Sequence, residues 1–156
     1  MFETEQEMVI ALISILKSKS LSINQARDFV IMQEVEGLVG RPDILLKSKK
    51  NKKIITIELK LKNWKRALAQ AYKYKSFSDI SYVCMDESNI DSVLKHLDMF
   101  EKYNIGLITI SKSKKVTIVH KPNATEPYAK SLYKKATLKF NDFESTNLML
   151  EQKLTN

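Results

Sequence analysis

Apolar positions recur at helical spacing near the start of the chain. Met8, Val9, Leu12, Ile13 and Leu16 form one stripe and predict an amphipathic helix over residues 3–18. The period then changes. Phe29, Val30, Ile31 and Met32 predict a strand over residues 28–36, closed by a turn at Gly37 and Gly40. Ile44 to Leu46 predict a second strand, Lys47 to Lys53 a basic hairpin turn, and Ile54 to Leu61 a third strand rich in β-branched residues. Asn63 is an N-cap for a helix running to about Lys75, with Trp64, Ala67, Leu68 and Ala71 on one face. Ile80 to Met85 predict a strand, residues 89–102 a helix, and Ile105–Ile110 with Val116–Val119 a closing pair of strands. After Pro122 the pattern weakens, and residues 127–140 and 142–154 read either as peripheral helices or as a docked or partly mobile tail. Strands interleaved with helices imply an α/β fold with a mixed central sheet flanked by helices.

Composition narrows this picture. The chain has 156 residues, 44% hydrophobic and 28% charged, which suits one core-bearing domain over residues 1–121 and a C-terminal extension over 122–156. No apolar run reaches the length of a membrane span, so no membrane association is expected. Glu3, Glu5 and Glu7 stand where a signal peptide carries bases. The single cysteine, Cys84, allows no internal disulfide and no cysteine-based zinc site, and its apolar neighbours make it a core residue. A cytoplasmic setting is expected.

The net charge is +8. Residues 61–80 carry five bases against Asp79 alone, and residues 111–156 carry nine bases against four acids. Basic surfaces attract polyanions through counterion release, which makes nucleic acid a candidate partner; ordinary solubilising lysine is the alternative reading of the same charge.

The chemistry concentrates between Gly40 and Lys60. Asp43 precedes the second predicted strand, and Glu58 and Lys60 share one face of the third. A hairpin between those strands brings Asp43 and Glu58 together. Two carboxylates at the ends of apolar strands are costly without a cation. Mg²⁺ (or Mn²⁺) held by Asp43 and Glu58, with the Leu59 backbone carbonyl in reach, would supply one. Lys60 beside them suits a role in orienting water or balancing charge during phosphodiester hydrolysis. Arg41, Lys62, Lys65, Arg66 and Lys73 are expected to track phosphates. His96 and His120 have no partner at metal-ligand spacing. Glu34 and Glu36 read as surface acids, and Trp64 as the anchor of its helix.

Gly40-Arg41-Pro42-Asp43 followed by Glu58-Leu59-Lys60 resembles the PD-(D/E)XK nuclease superfamily, and residues 3–85 follow that family's αβββαβ order. The resemblance implies a restriction-endonuclease-like fold with a divalent metal at Asp43 and Glu58. It implies a further ligand from the first helix, matched by Glu5, with Glu7 as the alternative. Gln70 and Tyr74 fit the QxxxY element of RecB-like members. The resemblance therefore adds Gln70 to the catalytic set and makes Tyr74 a substrate contact. The stretch Asn63–Gln70 looks like that of small stand-alone members, and the resemblance includes Holliday-junction resolvases, which makes a homodimer a fair expectation.

Two functions are weighed. One is a metal-dependent nuclease, acting on DNA in preference to RNA and selective for structure or ends rather than for sequence. The other is a non-catalytic nucleic-acid-binding or assembly module on the same fold, or the nuclease subunit of a larger complex. The presence of both acids and the lysine favours the enzyme.

Overall fold

A computed structural model describes residues 1–155; Asn156, the last residue of the extension, lies outside the described residues. The elements are α1 (Glu5–Lys17), β1 (Phe29–Gln33), β2 (Ile44–Ser48), β3 (Ile54–Lys60), α2 (Trp64–Tyr74), β4 (Ile80–Asp86), α3 (Ile90–Leu94), α4 (Leu97–Tyr103), β5 (Gly106–Ile110), β6 (Val116–His120) and α5 (Lys130–Thr155). The six strands form one sheet in sequence order. β1, β2 and β3 are antiparallel neighbours, β3, β4 and β5 are parallel, and β6 returns antiparallel. The α/β order αβββαβ and the mixed sheet expected from the hydrophobic pattern are therefore present, followed by α3, α4, the expected closing strands β5 and β6, and α5. None of the described helices is long and apolar enough to cross a membrane.

Alternation along the strands divides the core. Phe29, Ile31, Ile44, Ile55, Ile57 and Leu59 face α1, where Met8, Leu12 and Leu16 are buried. The opposite face is covered by α2 and α4 over β4 and β5, and by α5 over β1 and β2. Fixed polar pairs hold the layers in place. Asp79 accepts the Ile54 backbone N–H at 2.8 Å, where β3 begins. Thr56 Oγ1 donates to Ser81 Oγ, which donates to the Ala71 carbonyl of α2.

Three expectations need correcting. The helix expected over 89–102 is a short 3₁₀ turn (Glu87–Asn89) followed by α3 and α4, broken at Lys95 and His96. The break lets the His96 ring stack on Trp64 at 4.7 Å, and the Asn89 side chain ties this segment to the Leu61 carbonyl at 2.8 Å. The two helices expected over 127–140 and 142–154 are the single 26-residue helix α5. Nothing between Phe140 and Phe143 is a glycine or proline, so no residue there breaks it. The strand expected over 28–36 stops at Gln33, because Glu34 takes a positive φ of 48° and opens the loop toward Asp43.

Candidate active site

The loop over residues 34–43 and strand β3 build the site. Pairing of Ile44 with Ile57 continues outward to set Asp43 beside Glu58. Asp43 Oδ2 accepts the Leu59 backbone N–H at 2.9 Å, which fixes its orientation. Glu58 is 2% exposed, and both its oxygens face the Tyr74 hydroxyl, which donates at 3.1 Å to Oε2 and 3.4 Å to Oε1. Leu59 points the other way and is fully buried against α1.

The electrostatics follow from burial. Desolvation, and then the charge of Asp43, push the Glu58 carboxyl from 4.5 up to about 8. Asp43 is raised as well, mainly by desolvation, with the Leu59 N–H and Lys60 acting against it. Of the two carboxyls Glu58 is pushed up by its neighbour's charge as well as by burial, so it is the one that holds a proton more readily. Burial and the neighbouring carboxylates push the Tyr74 phenol well up, so it stays a donor.

Lys60 is half-buried on the face of Glu58, as strand alternation requires. Its Nζ lies 3.5 Å from Glu5 Oε1, while Glu5 Oε2 accepts the Leu61 backbone N–H at 3.1 Å. Glu5 thus reaches the site from α1 by holding Lys60 and the end of β3. Glu7 instead accepts the Glu3 backbone N–H at 2.8 Å, a helix-start contact away from the carboxylates.

The other expected residues distribute as follows. Gln70 lies on α2 one turn before Tyr74, and its Oε1 is buried without a hydrogen-bond partner. Lys62, Lys65, Arg66 and Lys73 are exposed, and none of the four forms an ion pair among the described residues. Arg41 is exposed and pairs with Glu36 at 3.2 Å, close enough for its charge to reach Tyr74. Tyr74 requires a correction: at 1% exposure it cannot touch a substrate, and it stands behind Glu58 as its hydrogen-bond donor. Its place was readable in the sequence, because it continues the buried stripe of Trp64, Ala67, Leu68 and Ala71.

The donor set suits a hard divalent cation. It offers two adjacent carboxyls, each harder to ionise than usual. Among the described residues no three His, Cys, Asp or Glu side chains converge on one point. A metal here would take Asp43 and Glu58 and complete its shell with backbone carbonyl, water or substrate oxygens, the habit of Mg²⁺.

Gly40 holds the loop against this site. Its φ is +68°, and a Cβ there would sit 3.0 Å from Tyr74 Cε1. Gly40→Ala is expected to cost about 1–3 kcal/mol through backbone strain and displacement of the Tyr74 ring. Chemical denaturation checks this; wild-type stability in the variant would contradict it.

No protein-family profile and no curated protein matches this sequence. Two solved structures resemble the fold. SPO1766, a protein of unknown function from Silicibacter pomeroyi, is 19% identical, with a TM-score of 0.63 over 97% of this chain and 92% of that one. That likeness shows the fold alone. Pyrococcus furiosus SfsA, solved in complex with Ca²⁺, is 10% identical, with a TM-score of 0.46 over 77% of this chain and 65% of that one, too slight a likeness to bear on chemistry.

Proposed function

We propose that this chain is a metal-dependent nuclease of the PD-(D/E)XK kind, hydrolysing phosphodiester bonds in nucleic acid. The observation that carries the reading is Glu58, buried against Asp43 with its acidity pushed to about 8, an arrangement that a divalent cation relieves. The match of Pro42-Asp43 and Glu58-Leu59-Lys60 to that family's motif supports it.

In the reaction, water adds to phosphorus, the bridging P–O bond breaks, and the departing oxygen takes up a proton. A bound Mg²⁺ or Mn²⁺ would supply charge neutralisation and a more acidic water. The chain's own residues do the rest. Asp43 is aimed by the Leu59 N–H, and Glu58 is aimed by Tyr74. Lys60, tethered by Glu5, is positioned to hold the attacking water or to balance charge on the phosphoryl oxygens. The unpaired bases Lys62, Lys65, Arg66 and Lys73 suit phosphate contacts, which orient a strand without reading its sequence. DNA is the favoured substrate, with structure- or end-selective cutting.

The test is incubation with single-stranded, duplex and branched DNA and with RNA, in Mg²⁺, in Mn²⁺ and in EDTA. Cutting in either metal and none in EDTA is expected. Cutting that persists in EDTA would refute the mechanism, and binding without cutting on every substrate would make the chain a binding module.

A further inference from the structure

Helix α5 carries its charges unevenly. Its first half holds Lys130, Lys134, Lys135 and Lys139; its second half holds Asp142, Glu144 and Glu151 against Lys153 alone. Docking decides where the basic half lies. Ala136 and Phe140 are fully buried against Val30, Leu45, Tyr74 and Phe77, which lays this half over the face of the sheet that carries Glu58.

As a result Lys135 and Lys139, one turn apart, converge on the loop that ends in Asp43. The point where a Gly37 side chain would begin lies 3.2 Å from Lys139 Nζ and 4.0 Å from Lys135 Nζ. Neither ammonium forms an ion pair among the described residues, and the nearby Glu36 is committed to Arg41. The contrast lies under the same helix, where Lys47 is paired with Glu144 at 3.8 Å. Two like charges gathered without an acid repel each other unless an anion joins them. Gly37 leaves the space beside them open.

We infer that Lys135 and Lys139 hold a backbone phosphate of nucleic acid, making the first half of α5 a second binding wall beside the carboxylates. The loop over 34–43 is flanked by Tyr74 of α2 at Gly40 and by these lysines at Gly37. The bases of α2 serve one flank and α5 serves the other. A backbone phosphate held at Gly37 would lie beside the loop that ends in Asp43. The ligand class rests on the proposed function; the placement of the wall rests on α5 itself.

The test measures affinity separately from cutting. The full-length chain is titrated in EDTA against a labelled DNA duplex by fluorescence anisotropy, across a range of salt. Lys135→Glu/Lys139→Glu is compared with Lys114→Glu/Lys115→Glu, which makes the same charge change at the turn between β5 and β6. The α5 pair is expected to weaken binding about tenfold to a hundredfold and to lower the salt slope by about two. The control pair is expected to change affinity much less. Lys135→Ala/Lys139→Ala, with a circular-dichroism melt, guards against a folding defect and should show a smaller loss of the same kind. If the α5 variants bind like the control pair, the inference is overturned, even when wild type cuts in metal. If wild type binds with this dependence but never cuts, the inference stands and the nuclease reading falls. If wild type does not bind nucleic acid, both fall.

Discussion

Replacing Asp43 with Asn is expected to lower metal-dependent cleavage about a thousandfold or more while leaving the fold intact. Asn keeps an oxygen for the Leu59 N–H, so the loop and strand stay joined. What disappears is the charge that would bind a divalent cation, and with it the main stabilisation of the transition state. Lys60→Ala should cost about a hundredfold to a thousandfold for a different reason, because it removes a group acting on water or on phosphoryl oxygen. The double variant should be little worse than the weaker single one, since residues acting as a unit are not additive. Single-turnover cleavage in Mg²⁺, beside duplex affinity in EDTA, checks all three. Wild-type rates in Asp43→Asn would contradict the assignment.

Metal-free protein is expected to lose stability as pH rises from about 4.5 to about 8. The sign follows from proton counting. Glu58 titrates near 8 in the folded chain and near 4.5 when exposed, so within that window the folded state binds more protons. The contribution of Glu58 is therefore greatest at and below pH 4.5, falls through the window, and levels off above 8. The slope attributable to this one carboxyl is about 1.4 kcal/mol per pH unit at most, a total of a few kcal/mol. Glu58→Gln should flatten the fall, because Gln is a neutral isostere that can still accept from Tyr74. At pH 8.5 in EDTA the variant should melt above wild type. Added Mg²⁺ or Mn²⁺ should raise the wild-type melting temperature at that pH and leave the variant unmoved. A flat wild-type profile would show that Glu58 is not held as described.

Much of this site was legible in the sequence because local rules decide it. The β-branched run from Ile54 to Ile57 and the basic turn before it define a hairpin, and hairpin register sets Asp43 beside Glu58. Strand alternation then places Lys60 with Glu58 and sends Leu59 into the core. Other features depend on contacts between distant segments. Glu5 lies on a readable helix face, but its hold on Lys60 and the Leu61 N–H joins the two ends of the αβββ unit. The break at His96 accompanies its stack on Trp64, a contact that no helical period encodes. Likewise, the lysines of α5 gain meaning only because Phe140 is buried beside Tyr74. Tyr74 itself was misread for another reason: a motif that suggested substrate contact outweighed the apolar stripe that buries it.

The most direct measurement is a titration of the chain with Mn²⁺, followed by electron paramagnetic resonance of the free ion at pH 8. Wild type is expected to bind about one Mn²⁺ per chain through its Asp43–Glu58 pair, displaced by excess Mg²⁺, with binding lost in Asp43→Ala and in Glu58→Gln. No bound Mn²⁺ in wild type, or equal binding in both variants, would contradict the central claim that these two adjacent carboxyls form a metal site.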